Sequence, residues 1–183
     1  MFALKLTEDA ELRPLEPWQA REFADYIDKH RSYLGAWLPW GTMITNEDEA
    51  RAFLQSYADK QARDEGRIYG IWVDGELAGG TLFRVFDTRL GHCEVGVWLA
   101  PDASGRGLVT RAVRHMIDWA FAVRGLHRVE WRTIPSNERS IAAARRLGMT
   151  REGVLRRSYP LNGVLHDTEI WALLSTDDPA PAL

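Results

Sequence analysis

Cysteine is almost missing from this chain. Cys93 is the sole one among 183 residues, which excludes an intramolecular disulfide and makes a reducing cytoplasm the expected compartment. Long apolar runs are missing too. No stretch approaches the roughly 20 residues that cross a bilayer, and Met1 to Leu12 carries acids where a signal peptide would be apolar. No membrane partner is expected. The histidines His30, His92, His115, His127 and His166 fall at no metal-ligand spacing, so no metal is predicted. A basic aromatic stripe and a high isoelectric point would mark nucleic-acid binding, and a pI near 6.0 argues against it.

The charge that is present lies unevenly. Residues 1–103 hold 11 basic against 18 acidic side chains, and residues 104–183 hold 12 against 8, for a net charge of −3. Such a split suits a basic half that meets phosphates and an acidic half that meets a cation. It suits ordinary surface variation as well.

Residues 1–175 read as one domain, followed by a tail at 176–183 rich in Asp, Pro and Ala. Leu12–Leu15 is a short strand, and Pro17 opens a helix through Phe23, Tyr26 and Ile27. After the aromatic stretch Trp37-Leu38-Pro39-Trp40, a second helix starts near Thr45 or Asn46, with Asp48 and Glu49 as capping-box partners and Ala50, Phe53, Leu54 and Tyr57 inward. Ile68–Val73 and Leu77 to about Val85 are strands joined by the hairpin turn Asp74-Gly75. Glu94–Leu99 is a further strand. Val109, Val113, Met116, Ile117, Ala120 and Phe121 recur at helical spacing, and Gly125 ends that helix. Val129, Trp131 and Thr133 alternate as a half-buried strand should. Asn137 caps a helix that buries Ile141, Ala144 and Leu147, and Asn162-Gly163 turns a last hairpin between Val154–Leu161 and Val164–Leu174. Trp18, Trp72, Trp119 and Trp171 read as core. The fold class is α/β, a mixed sheet with helices on its faces.

Chemistry gathers where the strand ending at Leu99 feeds the loop Pro101-Asp102-Ala103-Ser104-Gly105-Arg106-Gly107 and then a long helix. The first turn of a helix has free N–H groups and a positive partial charge, a ready anion site. Gly105 and Gly107 let the backbone come close to a phosphate. Leu108 and Val109 follow Gly107 where a mononucleotide P-loop needs Lys-Ser/Thr, and Thr110 stands where a dinucleotide fingerprint needs a third small residue. Neither of those loops fits.

Five segments, in order, carry a resemblance: Trp37-Leu38-Pro39-Trp40, Glu94 to Pro101, Gly105-Arg106-Gly107-Leu108, Asn137-Glu138-Arg139-Ser140, and Leu147-Gly148-Met149. From Leu12 to Leu174 the chain resembles the GNAT acyltransferase superfamily, in its branch of Rim-type ribosomal-protein N-terminal acetyltransferases. The resemblance implies a central, mostly antiparallel twisted sheet with a splayed strand pair. It implies transfer of an acetyl group from acetyl-coenzyme A to a primary amine, by direct attack with both substrates bound. The acceptor is either a protein N-terminal α-amine or a small-molecule amine. A coenzyme A-binding regulatory domain, or transfer of a longer acyl group such as succinyl, is the alternative. Relatives often pair, so a homodimer is expected.

Site residues follow from the same resemblance. The pyrophosphate loop maps onto Ser104, Gly107 and Val109, and the main-chain amides from Gly105 through Arg106, Gly107, Leu108 and Val109 to Thr110 are expected to cradle the diphosphate. Val97 and Leu99 lie on the strand that pairs with pantetheine, and an N–H near Trp98 or Leu99 faces the thioester oxygen. Asn137 matches the asparagine that steadies the pantetheine arm. Many relatives place an acidic tyrosine seven residues later, where this chain has Ala144, so Ser140 is the candidate acid. In the last hairpin Tyr159 stands where relatives carry a glutamate. Glu94, through a water, is then the candidate base, with His92 second because histidine ordinarily titrates near neutrality. Trp37 and Trp40, with Tyr159, are expected to wall the acceptor site. Cys93 has no His/Asp partner pattern and is expected to pack.

Overall fold

The computed structural model of the chain describes residues 3–177. Its strands are β1 (Leu4–Lys5), β2 (Ala10–Pro14), β3 (Arg67–Val73), β4 (Glu76–Asp87), β5 (His92–Leu99), β6 (Arg128–Thr133), β7 (Thr150–Leu161) and β8 (Val164–Leu174). Its helices are α1 (Ala20–Gly35), the one-turn α2 (Trp40–Met43), α3 (Glu47–Ala62), α4 (Leu108–Asp118) and α5 (Glu138–Arg146). The sheet order is β1-β2-β3-β4-β5-β6-β8-β7. β5 and β6 pair in parallel from His92↔Arg128 to Val95↔Trp131, whereas β2 on β3, β6 on β8 and β7 on β8 are antiparallel. β5 runs four residues past its last partner on β6, which is the splay that the resemblance implies.

By compactness the described residues form two units, 3–82 with 97–109 and 83–96 with 110–177. In the first, α1 turns Phe23, Ile27 and Leu34 into a core that includes Leu54 of α3 and Trp72 of β3. Fully burying a side chain of this size stabilises by about 1.5–3 kcal/mol, which outweighs the weak intrinsic preference of any one helix. Pro17 opens a single 3-10 turn, Pro17–Gln19, closed by a Glu16/Gln19 capping box, before α1 begins. Asn46 caps α3 by accepting from Glu49 N at 2.9 Å, while the Glu49 carboxylate reaches back to Thr45 N at 2.6 Å, one residue earlier than a capping box requires. In the second unit α4 buries Ala112, Val113, Met116 and Ile117, and then widens into a π-helical turn, Trp119–Val123. α5 lies on β6.

Trp18 departs from expectation. It is 75% exposed, because it sits on the isolated 3-10 turn and not on the apolar stripe of α1. Trp119 is half-buried against Phe83 and Phe86, with ring centroids 5.8 and 5.5 Å away, while Trp72 and Trp171 are core. Ser175, Thr176 and Asp177 are described, and Asp177 Oδ2 accepts from Leu174 N at 2.8 Å. The rest of the expected tail lies outside the described residues.

Candidate active site

Between β5 and α4 the chain makes a 3-10 turn at Pro101–Ala103, and Ser104 Oγ closes it on Ala100 O at 3.1 Å. Gly105 and Gly107 then adopt φ of +83° and +72°, and a Cβ placed on either would have no atom within 4 Å. Left-handed backbone at alternate positions turns successive N–H groups toward one side, the geometry of an anion-binding nest. Leu108 starts α4, whose leading N–H groups have no acceptor within the helix. The local arrangement therefore fits a diphosphate: open space, free amides and the positive end of an 11-residue helix. Arg106 is committed elsewhere, since its guanidinium bonds Asp9. The Asp9 carboxyl is held below its ordinary value by the Thr7 hydroxyl and by Arg106.

On the same strand, Trp98 is buried, whereas Val97 and Leu99 are half-buried. Gly79 and Gly80 give β5 its place. A Cβ on Gly79 would lie 2.5 Å from Trp98 O, and one on Gly80 would lie 2.2 Å from the Trp98 ring. Trp40 meets Trp98 edge-on at 5.5 Å and 81°, and both pack on Phe23. The half-buried Trp40 thus joins the aromatic cluster and remains partly open to solvent. Trp37 is half-buried as well.

In the second unit, Asn137 and Ser140 do act together. Asn137 Oδ1 caps α5 by accepting from Ser140 N at 3.1 Å, so its amide NH2 is the group left to offer a ligand. Ser140 Oγ accepts from Trp131 Nε1 at 2.9 Å. A hydroxyl that receives such a bond has its own proton left to give, and the incoming N–H stabilises the oxygen once the proton leaves.

Glu94 is buried, and both its oxygens are taken by Arg84; Arg132 Nε adds a contact at 3.3 Å. A buried carboxylate needs such pairing. Tyr159 belongs to the same group. Burial raises its phenol above the ordinary value, Arg84 partly offsets this, and Glu94 adds to it. His92 shares the Glu94 face of β5, two residues away. Glu94 pairs with Arg132 and Ser140 with Trp131. Successive side chains of a strand point to opposite faces, so the candidate acid and the candidate base approach β6 from opposite faces.

Cys93 is fully buried, and burial, with help from the Glu130 charge, pushes its thiol up to about 12. That is packing, as expected. Among the described residues no group of three or more His, Cys, Asp or Glu is placed to hold a metal ion, and no helix is long and apolar enough to cross a membrane. The two arginines on Glu94 escaped the sequence reading. A signal existed in the lone charge of Leu82-Phe83-Arg84-Val85-Phe86, since a single arginine inside an apolar strand calls for a partner across the sheet.

Comparison with known proteins shows the family. Residues 10–150 match the family described as "Acetyltransferase (GNAT) domain". Bacillus subtilis YdaF, named provisionally as a ribosomal N-acetyltransferase, is 31% identical over 182 residues, covering 97% of each chain. The spermidine N(1)-acetyltransferase of Escherichia coli K12 is 30% identical over 157 residues, 83% of this chain and 78% of that one. The solved structure of RimL, the ribosomal L7/L12 alpha-N-protein acetyltransferase in complex with coenzyme A, superposes with a TM-score of 0.89 at 24% identity, covering 96% of this chain and 99% of that one. The chain belongs to the GNAT family, and it is an acetyl-coenzyme A-dependent N-acetyltransferase.

Proposed function

We propose that main-chain amides between Gly105 and Thr110 hold the diphosphate of acetyl-coenzyme A while β5 presents the thioester to a primary amine. The observation that carries this reading is the pair of left-handed glycines opening α4. Acetyl-coenzyme A supplies the activated acetyl group, and the chain supplies position, fixed dipoles and proton transfer. Val97 and Leu99 pair with the pantetheine arm, and a main-chain N–H near Trp98 or Leu99 stabilises the carbonyl oxygen as charge develops on it, which in such sites is often the largest single effect. Holding both reactants in register supplies much of the rest.

Ser140 donates its proton to the departing thiolate, and the Asn137 amide steadies the arm. Of the candidate bases Glu94 and His92, one receives the ammonium proton through water. The arginines on Glu94 favour His92 for this step and leave Glu94 to hold charge in place. Trp37, Trp40 and Tyr159 wall the acceptor side. The acceptor is a protein N-terminal amine or a small amine, since relatives named for each are similar to this chain. No metal takes part. We place the enzyme in the cytoplasm, away from membranes and nucleic acid, on the strength of its single buried thiol and its near-neutral pI. Two copies pair, a reading supported by the exposed apolar side chains Val154, Leu155, Val164 and Leu165 of the β7–β8 hairpin.

Thiol release from acetyl-coenzyme A, measured with free-amine peptides, polyamines, aminoglycosides and aminoacyl nucleotides, tests the proposal. Turnover with at least one class is expected. Tight binding of acetyl-coenzyme A without turnover on any of them would overturn it in favour of a regulatory domain.

A further inference from the structure

Among the described residues two buried donors, Arg13 Nε and Trp98 Nε1, stand without a hydrogen-bond acceptor, and the second is on the strand proposed to present the acyl group. Trp98 is 4% exposed, yet among the described residues its Nε1 has no hydrogen-bond partner. The other buried tryptophans are all paired. Trp72 Nε1 donates to Glu22 at 2.7 Å, Trp131 to Ser140 at 2.9 Å and Trp171 to Glu169 at 2.9 Å. Buried indole N–H groups generally find such partners, because leaving one unmade forfeits its hydration for nothing. Trp98 is the exception.

Its ring has no room to retreat. The backbone of Gly80 lies against the indole so closely that a Cβ there would come within 2.2 Å of it. Phe23, with its centroid 6.2 Å away, is itself core. Two other rings of the same cluster are less buried: Trp40, edge-on at 5.5 Å, is only half-buried, and so is Phe53, 5.8 Å from Trp40. The unpaired N–H thus belongs to an aromatic cluster that is partly open to solvent at Trp40 and Phe53.

We propose that Trp98 is a specificity-determining residue for the acceptor. Its Nε1–H takes a carbonyl oxygen of the amine-bearing molecule once Trp40 turns aside, and the faces of Trp40 and Phe53 hold the organic part of that molecule. This rests on the amine-acetylation reading above. A peptide N-terminus carries a carbonyl one carbon from its amine and satisfies the donor. A polyamine offers only N–H donors and cations, so it leaves the indole unpaired. A site built around a buried polar group rejects a ligand that cannot pair with it more strongly than an apolar pocket rejects a change of size.

Trp98→Phe keeps an aromatic ring at the position and removes the N–H. Thiol release would be compared for a free-amine tripeptide and for its isostere in which the first carbonyl is reduced to methylene. Wild type should favour the peptide in kcat/KM by at least about 10-fold, and Trp98→Phe should lose most of that preference, its kcat/KM falling further on the peptide than on the isostere. A preference retained in the variant, or an equal fall on both substrates, overturns the assignment. An independent readout uses wild-type protein with 15N-labelled indoles. Peptide binding should move one Nε1–H resonance downfield, the isostere should not, and an unmoved spectrum at saturating peptide overturns the proposal even if the variant fails to fold. Should neither amine release thiol, the wider amine panel above decides the acetylation reading, and the indole spectrum still decides whether Trp98 meets a carbonyl.

Discussion

At the scale of single residues, the most consequential hydroxyl is that of Ser140. It is fixed from two directions, its N–H by the Asn137 cap and its oxygen by the Trp131 indole. Ser140→Ala should lower kcat by about 10²–10⁴ if it supplies the proton, with KM little changed. It also strands the Trp131 N–H, at a cost of about 1–3 kcal/mol in stability. Ser140→Thr keeps a hydroxyl at the position and should restore both in part. Steady-state kinetics together with urea unfolding separate the two effects. Stability lost with kcat intact would assign Ser140 to the framework alone.

At the scale of elements, the loop into α4 and the paired charges on β5 and β6 each make a testable claim. Gly107→Glu places bulk and negative charge at the start of α4. The site is open, so the fold should lose only the left-handed penalty of about 1–2 kcal/mol, while calorimetric binding of acetyl-coenzyme A should vanish. Gly107→Asn, which tolerates φ of +72°, should still bind. Unchanged affinity in the glutamate variant would dismiss the loop as the diphosphate site. On β6, burial would push Glu130 up, but hydrogen bonds from Arg128 and Arg132 outweigh it and hold the carboxyl below its ordinary 4.5. A depressed carboxylate contributes stability above the unfolded value, and that contribution is lost as pH falls through the folded one. Glu130→Gln should therefore be less stable than wild type at pH 7, and the difference should shrink below about pH 4.5. Urea midpoints across that range provide the check.

These elements also show what was legible in the sequence. Asp74-Gly75 and Asn162-Gly163 were readable as hairpins because their backbone demand is local: φ is +51° and +84° in one, +50° and +77° in the other. The helices of the core were readable from their apolar spacing, and the loop into α4, proposed for the diphosphate, from two glycines before a helix. The two-residue β1 and the one-turn α2 were not, since neither is long enough to show a period. The displaced register between Leu155 and Tyr159 leaves no pattern either. Glu94's clamp, the Arg106–Asp9 pair and the unpaired Trp98 indole depend on which strands become neighbours, and no local window holds that information.

At the scale of the whole molecule, the question is whether the two compact units respond as one. β4, β5 and α4 each run through both of them, so melting either unit would cut a strand or a helix partway along its hydrogen bonds. We propose that residues 1–175 form one cooperative domain, and scanning calorimetry should then show a single transition whose calorimetric and van't Hoff enthalpies agree. Acetyl-coenzyme A sharpens the test. At about 100 times its Kd, a ligand that binds only the folded state adds about 2.7 kcal/mol, which for a chain of this size raises Tm by roughly 5–10 °C. Of the amides proposed to hold the diphosphate, those of residues 105–109 lie in one unit and that of Thr110 in the other. If the units melted independently, two transitions would appear. If they are one domain, the whole endotherm shifts, and Gly107→Glu abolishes the shift without splitting the peak. Two peaks that respond differently to the coenzyme would defeat the single-domain reading and leave the loop assignment standing.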